Sequence, residues 1–312
     1  MDPPIRFHGL TEFISIISHL HIIITAFNLT MLTPRIVSNA FRRIASRNQS
    51  REASQRVYIL GGHQTDFSRN WKRDNMDLLA VMTSVVQEGL NSSQIEAKNI
   101  DCLHVGNFTG ELFCGQGHLG GLASSSHPEF AGKPASRHEG ACASGSLALL
   151  AASADIESGR YGLSAVIGIE QMRNVPGEEA AKLIGGPAML AGNECIGIKY
   201  PWPHMFSNLA EEYNTRFGIK REHLSRIGAI NFSNARRNPN AQTRQWKMNA
   251  DNFTENDISN PVVDGWMRKH DCSQLTDGAA IVFLASESVA RAWASRRNID
   301  IKVFCLSLPF EL

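Results

Sequence analysis

Short apolar runs alternating with stretches of helical spacing constrain this chain more than any other feature. VYIL (57–60) leads into Gly61-Gly62, Ile100 to Val105 forms a second run, AVIGIE (165–170) a third and AAIVFLA (279–285) a fourth. Runs of this length bounded by turn residues are the pattern of strands buried on both faces. Between them, residues 76–90 place Met76, Leu79, Ala80, Met82, Val86 and Leu90 near helical spacing, and residues 142–158 predict a helix with small residues on several sides. Apolar strands alternating with helices give an α/β core in which helices pack on a sheet. The Gly-rich stretch 106–121 reads as loop or the start of a helix, and 135–141 as an extended segment approaching Cys142.

Residues 172–265 break the alternation. They are rich in Asn, Pro, Arg and Glu, with one clear helical stretch from Leu209 to Asn234. That is too long for a simple loop, so an inserted subdomain with its own structure is expected. The first part of the main domain then spans 56–171, and 266–300 supplies its closing strand and helix.

With 43% hydrophobic and 20% charged residues over 312 positions, the composition is globular. A formal net charge of +1 offers no overall attraction to nucleic acid or an anionic membrane. The six cysteines are scattered and form no CxxC pair, so neither a metal-ligating motif nor a disulfide scaffold is expected. They read as reduced thiols of an intracellular compartment.

Two segments precede the globular part. The apolar run 13–27 is shorter than the about 20 residues a membrane-spanning helix needs. No stable membrane span is expected there, and residues 1–30 read as an extension absent from the mature protein. Residues 31–55 carry Arg35, Arg42, Arg43, Arg47 and Arg51, frequent serines and one acid, Glu52. Ile36, Ala40, Phe41 and Ile44 share one helical face. This is the make-up of a mitochondrial transit peptide. A solvated basic arm is the alternative, which would leave a peroxisomal, glycosomal or cytoplasmic protein.

The chemistry concentrates in HEGACASGSLALLAASADIESG (138–159). Cys142 stands where an extended segment meets a helix, flanked by Gly140, Ala141, Ala143, Ser144 and Gly145. Small neighbours let a substrate carbonyl reach the sulfur. A thiol at a helix N-terminus lies at the positive end of the helix dipole, which favours thiolate. The same N–H groups can hold the oxyanion formed when a thiolate attacks a thioester. The alternative is a small cysteine filling a packed strand–helix corner.

CASG at Cys142–Gly145, within EGACASGSLAL, resembles the nucleophile motif of the thiolase superfamily, in particular the sterol-carrier-protein-type thiolases. VYILGGHQTDFSR (57–69) is similar to the family's opening strand and loop, AVIGIEQM (165–172) to the strand after the nucleophile helix, and SQLTDGAAIVFLAS (273–286) to the strand closing the N-terminal half. RFGIKREHLSRIGAINFSNA (216–235) looks like the helical part of the family's loop domain, which would occupy 172–265. The resemblance covers about 57–300. It implies an α/β thiolase fold: an N-terminal βαβαβαββ half with an inserted loop domain. It also implies covalent acyl transfer through Cys142 on 3-ketoacyl-CoA or acetyl-CoA in lipid metabolism, coenzyme A as substrate with no tightly bound cofactor, and a homodimer formed through this half.

A thiolase has a second, similar half carrying an Asn-Glu-Ala-Phe or His-Asp-Cys-Phe stretch, a Gly-His-Pro histidine and a Cys-x-Gly cysteine. None follows here, and 301–312 resembles nothing in the family, so most of a C-terminal half is expected to be missing. The candidate substitutes are poor. His127-Pro128 follows Ser126 and reads as a loop turn, Cys114-Gly115-Gln116-Gly117 lies upstream, and His270-Asp271-Cys272 is followed by Ser273 rather than Phe. Little or no turnover is therefore expected of this polypeptide alone, together with an exposed apolar face prone to aggregation. A non-catalytic acyl-CoA- or lipid-binding protein and another condensing enzyme of the same fold are the alternatives.

Overall fold

The computed structural model describes residues 56–186 and 195–299. The readings made on 1–30, 31–55 and 301–312 lie outside the described residues. Five strands form the main sheet: β1 (Val57–Gln64), β2 (Cys102–Gly106), β3 (Ala135–His138), β4 (Leu163–Gln171) and β7 (Asp277–Ser286), in the order β1-β7-β4-β2-β3. β2 runs parallel to β3 and β4, and β7 runs antiparallel to β1 and β4.

Helix α1 (Leu78–Ser93) begins where the Asp77 carboxylate accepts the Ala80 N–H at 2.8 Å. It buries Leu78, Val81, Met82, Val85, Val86 and Leu90. The expected face contained Leu79 and Ala80, but Ala80 is exposed. The segment is apolar almost all round, so spacing alone did not fix which arc faces inward.

Alternation along the strands divides two layers. Ala165, Ile167 and Ile169 of β4 and Ile281, Phe283 and Ala285 of β7 join α1, with Leu119 and Ala123 of the short helix α3 (Leu119–Ser124), in the larger core. Val166 and Leu284 face the other way, against Ala148, Ala152 and Ile156 of α4 (Ser144–Glu157). The outer side of α4 leaves Leu147 and Leu150 exposed.

β1 does not stop at Gly61-Gly62. Its pairing with β7 slips between Ile59 and Gly61 and then resumes as far as Gln64 opposite Ala280. Gly61 takes a φ of +141°, and a Cβ at Gly62 would lie 2.1 Å from the Ile281 carbonyl oxygen. The two glycines make a β-bulge with close backbone approach rather than a strand end.

The short helix α2 (Gly110–Cys114) follows β2. Beyond β4 come α5 (Gly177–Gly185), α6 (Pro201–Phe217), α7 (Arg221–Arg237) and a small hairpin of β5 (Val262–Asp264) and β6 (Met267–Arg268). The single stretch expected from Leu209 to Asn234 is two helices, because Gly218 turns into the left-handed region at φ +76° and ends α6. Helix α8 (Glu287–Ser295) follows β7. No helix among the described residues is long and apolar enough to cross a membrane.

Candidate active site

The parallel strands β2, β3 and β4 end together at Gly106, His138 and Gln171. Ligands of open α/β sheets gather outside such carboxyl ends. Four residues past the end of β3, Cys142 occupies the middle of a 3₁₀ turn, Ala141–Ala143, that leads into α4. The helix was expected to start at Cys142 itself; it starts two residues later.

Two side chains hold this turn. The Ser144 hydroxyl donates to the Ala141 carbonyl at 2.6 Å and accepts the Gly140 N–H at 3.1 Å. The Glu139 carboxylate accepts the Ala141 N–H at 2.6 Å. Ala141 takes a φ of +51°, a region that costs an L-residue roughly 1–2 kcal/mol. The strain sits immediately before the sulfur, as strained backbone does at functional turns.

The Cys142 thiol is exposed rather than sealed in packing. No side chain caps α4 and its first turn holds no acid; the nearby carboxylate is that of Glu139, which is engaged on the Ala141 N–H of the preceding turn. Among the described residues, none gives the Cys142 sulfur a hydrogen-bond partner. The other described cysteines are less exposed. Burial pushes the Cys102 and Cys114 thiols up to about 11 and raises Cys272. Cys195 is buried.

A polar frame fixes the strand ends. Asn107 donates to the Ile169 carbonyl at 2.7 Å and accepts the Gly110 N–H at 2.9 Å. The Glu170 carboxylate accepts from the Phe108 N–H and, at 3.0 Å, from the Thr109 hydroxyl. Burial raises Glu170 above the usual carboxylate range, against the pull of those donors. Arg137 donates to the carbonyls of Asn107 and Phe108 and pairs with Glu111. At the start of β7, the fully buried Asp277 accepts the N–H groups of Trp71, Met172 and Arg173 at 2.8–3.0 Å. Sequence reasoning gave none of these residues a role. The signal lay in polar residues at the ends of apolar runs, at Asn107, Glu170 and Asp277.

The substitutes lie elsewhere. His127 caps a 3₁₀ turn, accepting the Glu129 N–H at 3.1 Å. Cys114 ends α2 and lies 3.4 Å from the Gln171 amide oxygen. His270 Nδ1 is 2.7 Å from the Asn252 carbonyl, and Asp271 pairs with Arg221 at 2.7 Å. An open cleft of about 420 Å³ is lined by Ser207, Glu211, Arg221, Asp264, Trp266 and Arg268 among others. None of its lining comes from the five-stranded sheet or the Cys142 turn.

Fold and site thus define an α/β protein that presents an uncapped helix N-terminus and an accessible thiol at the carboxyl end of parallel strands. The chain belongs to the thiolase family: the model of the thiolase N-terminal domain matches residues 57–288. It is 30% identical over 246 residues to an acetyl-CoA acetyltransferase of Methanocaldococcus jannaschii, covering 78% of this chain and 59% of the relative. It is 25% identical over 255 residues to sterol carrier protein 2 of Homo sapiens, covering 77% and 43%. The chain thus spans about three fifths or less of these relatives. The fold is shared with human mitochondrial 3-ketoacyl-CoA thiolase, solved in complex with CoA: the TM-score is 0.57 at 14% identity, covering 79% of this chain and 67% of that one. The strand and helix order β1-α1-β2-α3-β3-α4-β4-β7 is the expected βαβαβαββ half. That solved thiolase holds CoA, the molecule the resemblance implied as substrate.

Proposed function

We propose that this chain performs thiolase-type acyl transfer on CoA thioesters, with Cys142 as the acyl acceptor. The observation that carries the reading is the exposed sulfur in a strained turn before an uncapped helix. The thiolate attacks the keto carbon of a 3-ketoacyl-CoA. The bond between the α-carbon and that carbon breaks, and acetyl-CoA leaves as a carbanion that takes up a proton. The thiol of free CoA then takes the acyl group and restores the Cys142 thiol. The reverse sequence is a Claisen condensation, and the helix N-terminus would stabilise the oxyanion in either direction.

Both directions need a base for the sulfur and an acid/base for the α-carbon. Among the described residues none contacts the Cys142 sulfur in that way. We therefore expect acyl acceptance from an activated thioester but little or no thiolysis from this polypeptide by itself. Rapid mixing with acetyl-CoA should release one equivalent of CoA thiol per chain in a burst, followed by a slow or flat phase. Steady acetoacetyl-CoA thiolysis lost in Cys142→Ala would refute the expected lack of turnover. CoA binding without any burst would favour a non-catalytic acyl-CoA-binding protein.

The role is in lipid metabolism. The Arg- and Ser-rich segment 31–55 supports mitochondrial import, for which translation would start at Met31 or residues 1–30 would be removed. A homodimer through this half fits the position of β3, which lies at the sheet edge and leaves backbone groups available for pairing. Light scattering coupled to gel filtration reads the dimer directly.

A further inference from the structure

A second cluster of reactive side chains lies between β2 and the last turn of α4. Cys102 and His104 occupy alternate positions of β2, so both point toward the α4 layer. Asp155, on α4, meets them. Cys102 Sγ lies 3.5 Å from His104 Nε2, and Asp155 Oδ2 lies 3.3 Å from the same nitrogen. All three donor atoms fall within 4.8 Å of one another. Cys102 and His104 are buried, and the Asp155 side chain is 34% exposed.

A catalytic Cys–His–Asp relay would turn one ring nitrogen to the sulfur and the other to the carboxylate. Here Nε2 faces both. Three donors of different chemistry converging on one point is the geometry of a shared cation. A tetrahedral zinc, with Zn–S of about 2.3 Å and Zn–N and Zn–O of about 2.0–2.1 Å, separates sulfur from nitrogen by about 3.5 Å and nitrogen from oxygen by about 3.3 Å. The sulfur–nitrogen and nitrogen–oxygen separations match these values, and the sulfur and the Asp155 oxygen lie within 4.8 Å of one another. The remaining ring nitrogen, His104 Nδ1, is 3.0 Å from His138 Nε2, which is itself 3.0 Å from Ser136 Oγ. A partner on the second nitrogen is what orients a metal-bound imidazole and leaves Nε2 as the donor. Ser164 Oγ lies 3.1 Å from the Cys102 sulfur and can donate to a thiolate there.

We propose that Cys102, His104 and Asp155 bind one divalent, borderline-soft cation of the zinc class, with a solvent molecule in the fourth position on the side where Asp155 reaches water. Thiolate, imidazole and carboxylate suit zinc and cobalt rather than magnesium or calcium. Binding releases the Cys102 thiol proton to solvent and forms the metal–sulfur bond. One thiolate and one carboxylate then balance the two positive charges, which suits a largely buried site. The cation would pin the end of α4 to β2, independently of any acyl chemistry at Cys142.

The test uses the full chain without a histidine tag, stripped with chelator and then supplied with Zn²⁺ or Co²⁺. One zinc should remain per chain after gel filtration, and the cobalt form should show a thiolate-to-metal charge-transfer band. At a hundredfold excess of zinc over Kd, Tm should rise by roughly 5–10 °C. Cys102→Ser should abolish the band and Cys142→Ser should leave it. His138→Gln should weaken zinc binding by roughly 10–100-fold through loss of orientation. Failure to retain zinc, or a band that survives Cys102→Ser, overturns the proposal. If that variant does not fold, X-ray absorption of the wild-type zinc complex decides: one sulfur among nitrogen and oxygen donors supports the site, and any other sulfur count overturns it.

Discussion

A methyl group placed on Gly106 would stand 2.7 Å from the Cα of Gly145, so the end of β2 and the start of α4 meet backbone to backbone. This contact sets how closely the Cys142 turn is pressed onto the strand ends. Gly106→Ala should destabilise the protein by about 1–3 kcal/mol, as overpacking does, and displace the turn. Urea unfolding gives the first effect. The alkylation rate of Cys142 gives the second, and an unchanged rate would mean the turn is held by Ser144 and Glu139 alone.

Exposure separates Cys142 from the other described cysteines. A limiting dose of iodoacetamide near neutral pH should label Cys142 well before Cys102, Cys114, Cys195 or Cys272. Peptide mapping by mass spectrometry checks the order. Equal labelling of Cys114 would show that the frame around α2 opens readily.

Asp277 ties three chain segments through three backbone N–H groups and is fully buried. Asp277→Ala strands those donors and should cost roughly 3 kcal/mol or more. Asp277→Asn should cost less, because one amide oxygen still accepts the Met172 and Arg173 N–H groups. Urea midpoints for the two variants, compared at equal slope, give the answer.

The alternating apolar runs made the sheet legible in sequence, because strands packed against other elements on both faces must be apolar on both. Cys142 stood out for a different reason: a cysteine among Gly, Ala and Ser at a helix start suits packing as well as chemistry, and it was the resemblance of CASG and the flanking runs, in order, to the thiolase motifs that singled it out. What stayed hidden depends on distant partners. Asp277 serves N–H groups that follow β1 and β4. Cys102, His104 and Asp155 meet only once α4 has packed on β2. The break at Gly218 was missed because helical spacing continues across it, and Gly61-Gly62 looked like a strand end because a bulge and a turn use the same residue.

His270 is held below the usual histidine value of 6.5, first by burial and then by Lys269, while its contact with Asn252 and the nearby Asp271 act in the opposite direction. A histidine depressed in the folded state binds protons more readily when unfolded. Its stabilising contribution is therefore present above about pH 6.5 and is lost as pH falls through the lower, folded value. Tm measured from pH 7.5 down to 5 should decline, and His270→Asn should flatten that part of the decline. A slope identical to wild type would assign it to other groups.

The central claim is that the sulfur at position 142 accepts an acyl group. The most direct measurement is acid-quenched mass spectrometry of the full chain after incubation with acetyl-CoA, followed by peptide mapping. The account predicts one acetyl group, on the peptide containing Cys142, removable by hydroxylamine and absent in Cys142→Ala. An unmodified Cys142 in protein that demonstrably binds CoA, or an acetyl group carried on a different residue, would contradict it.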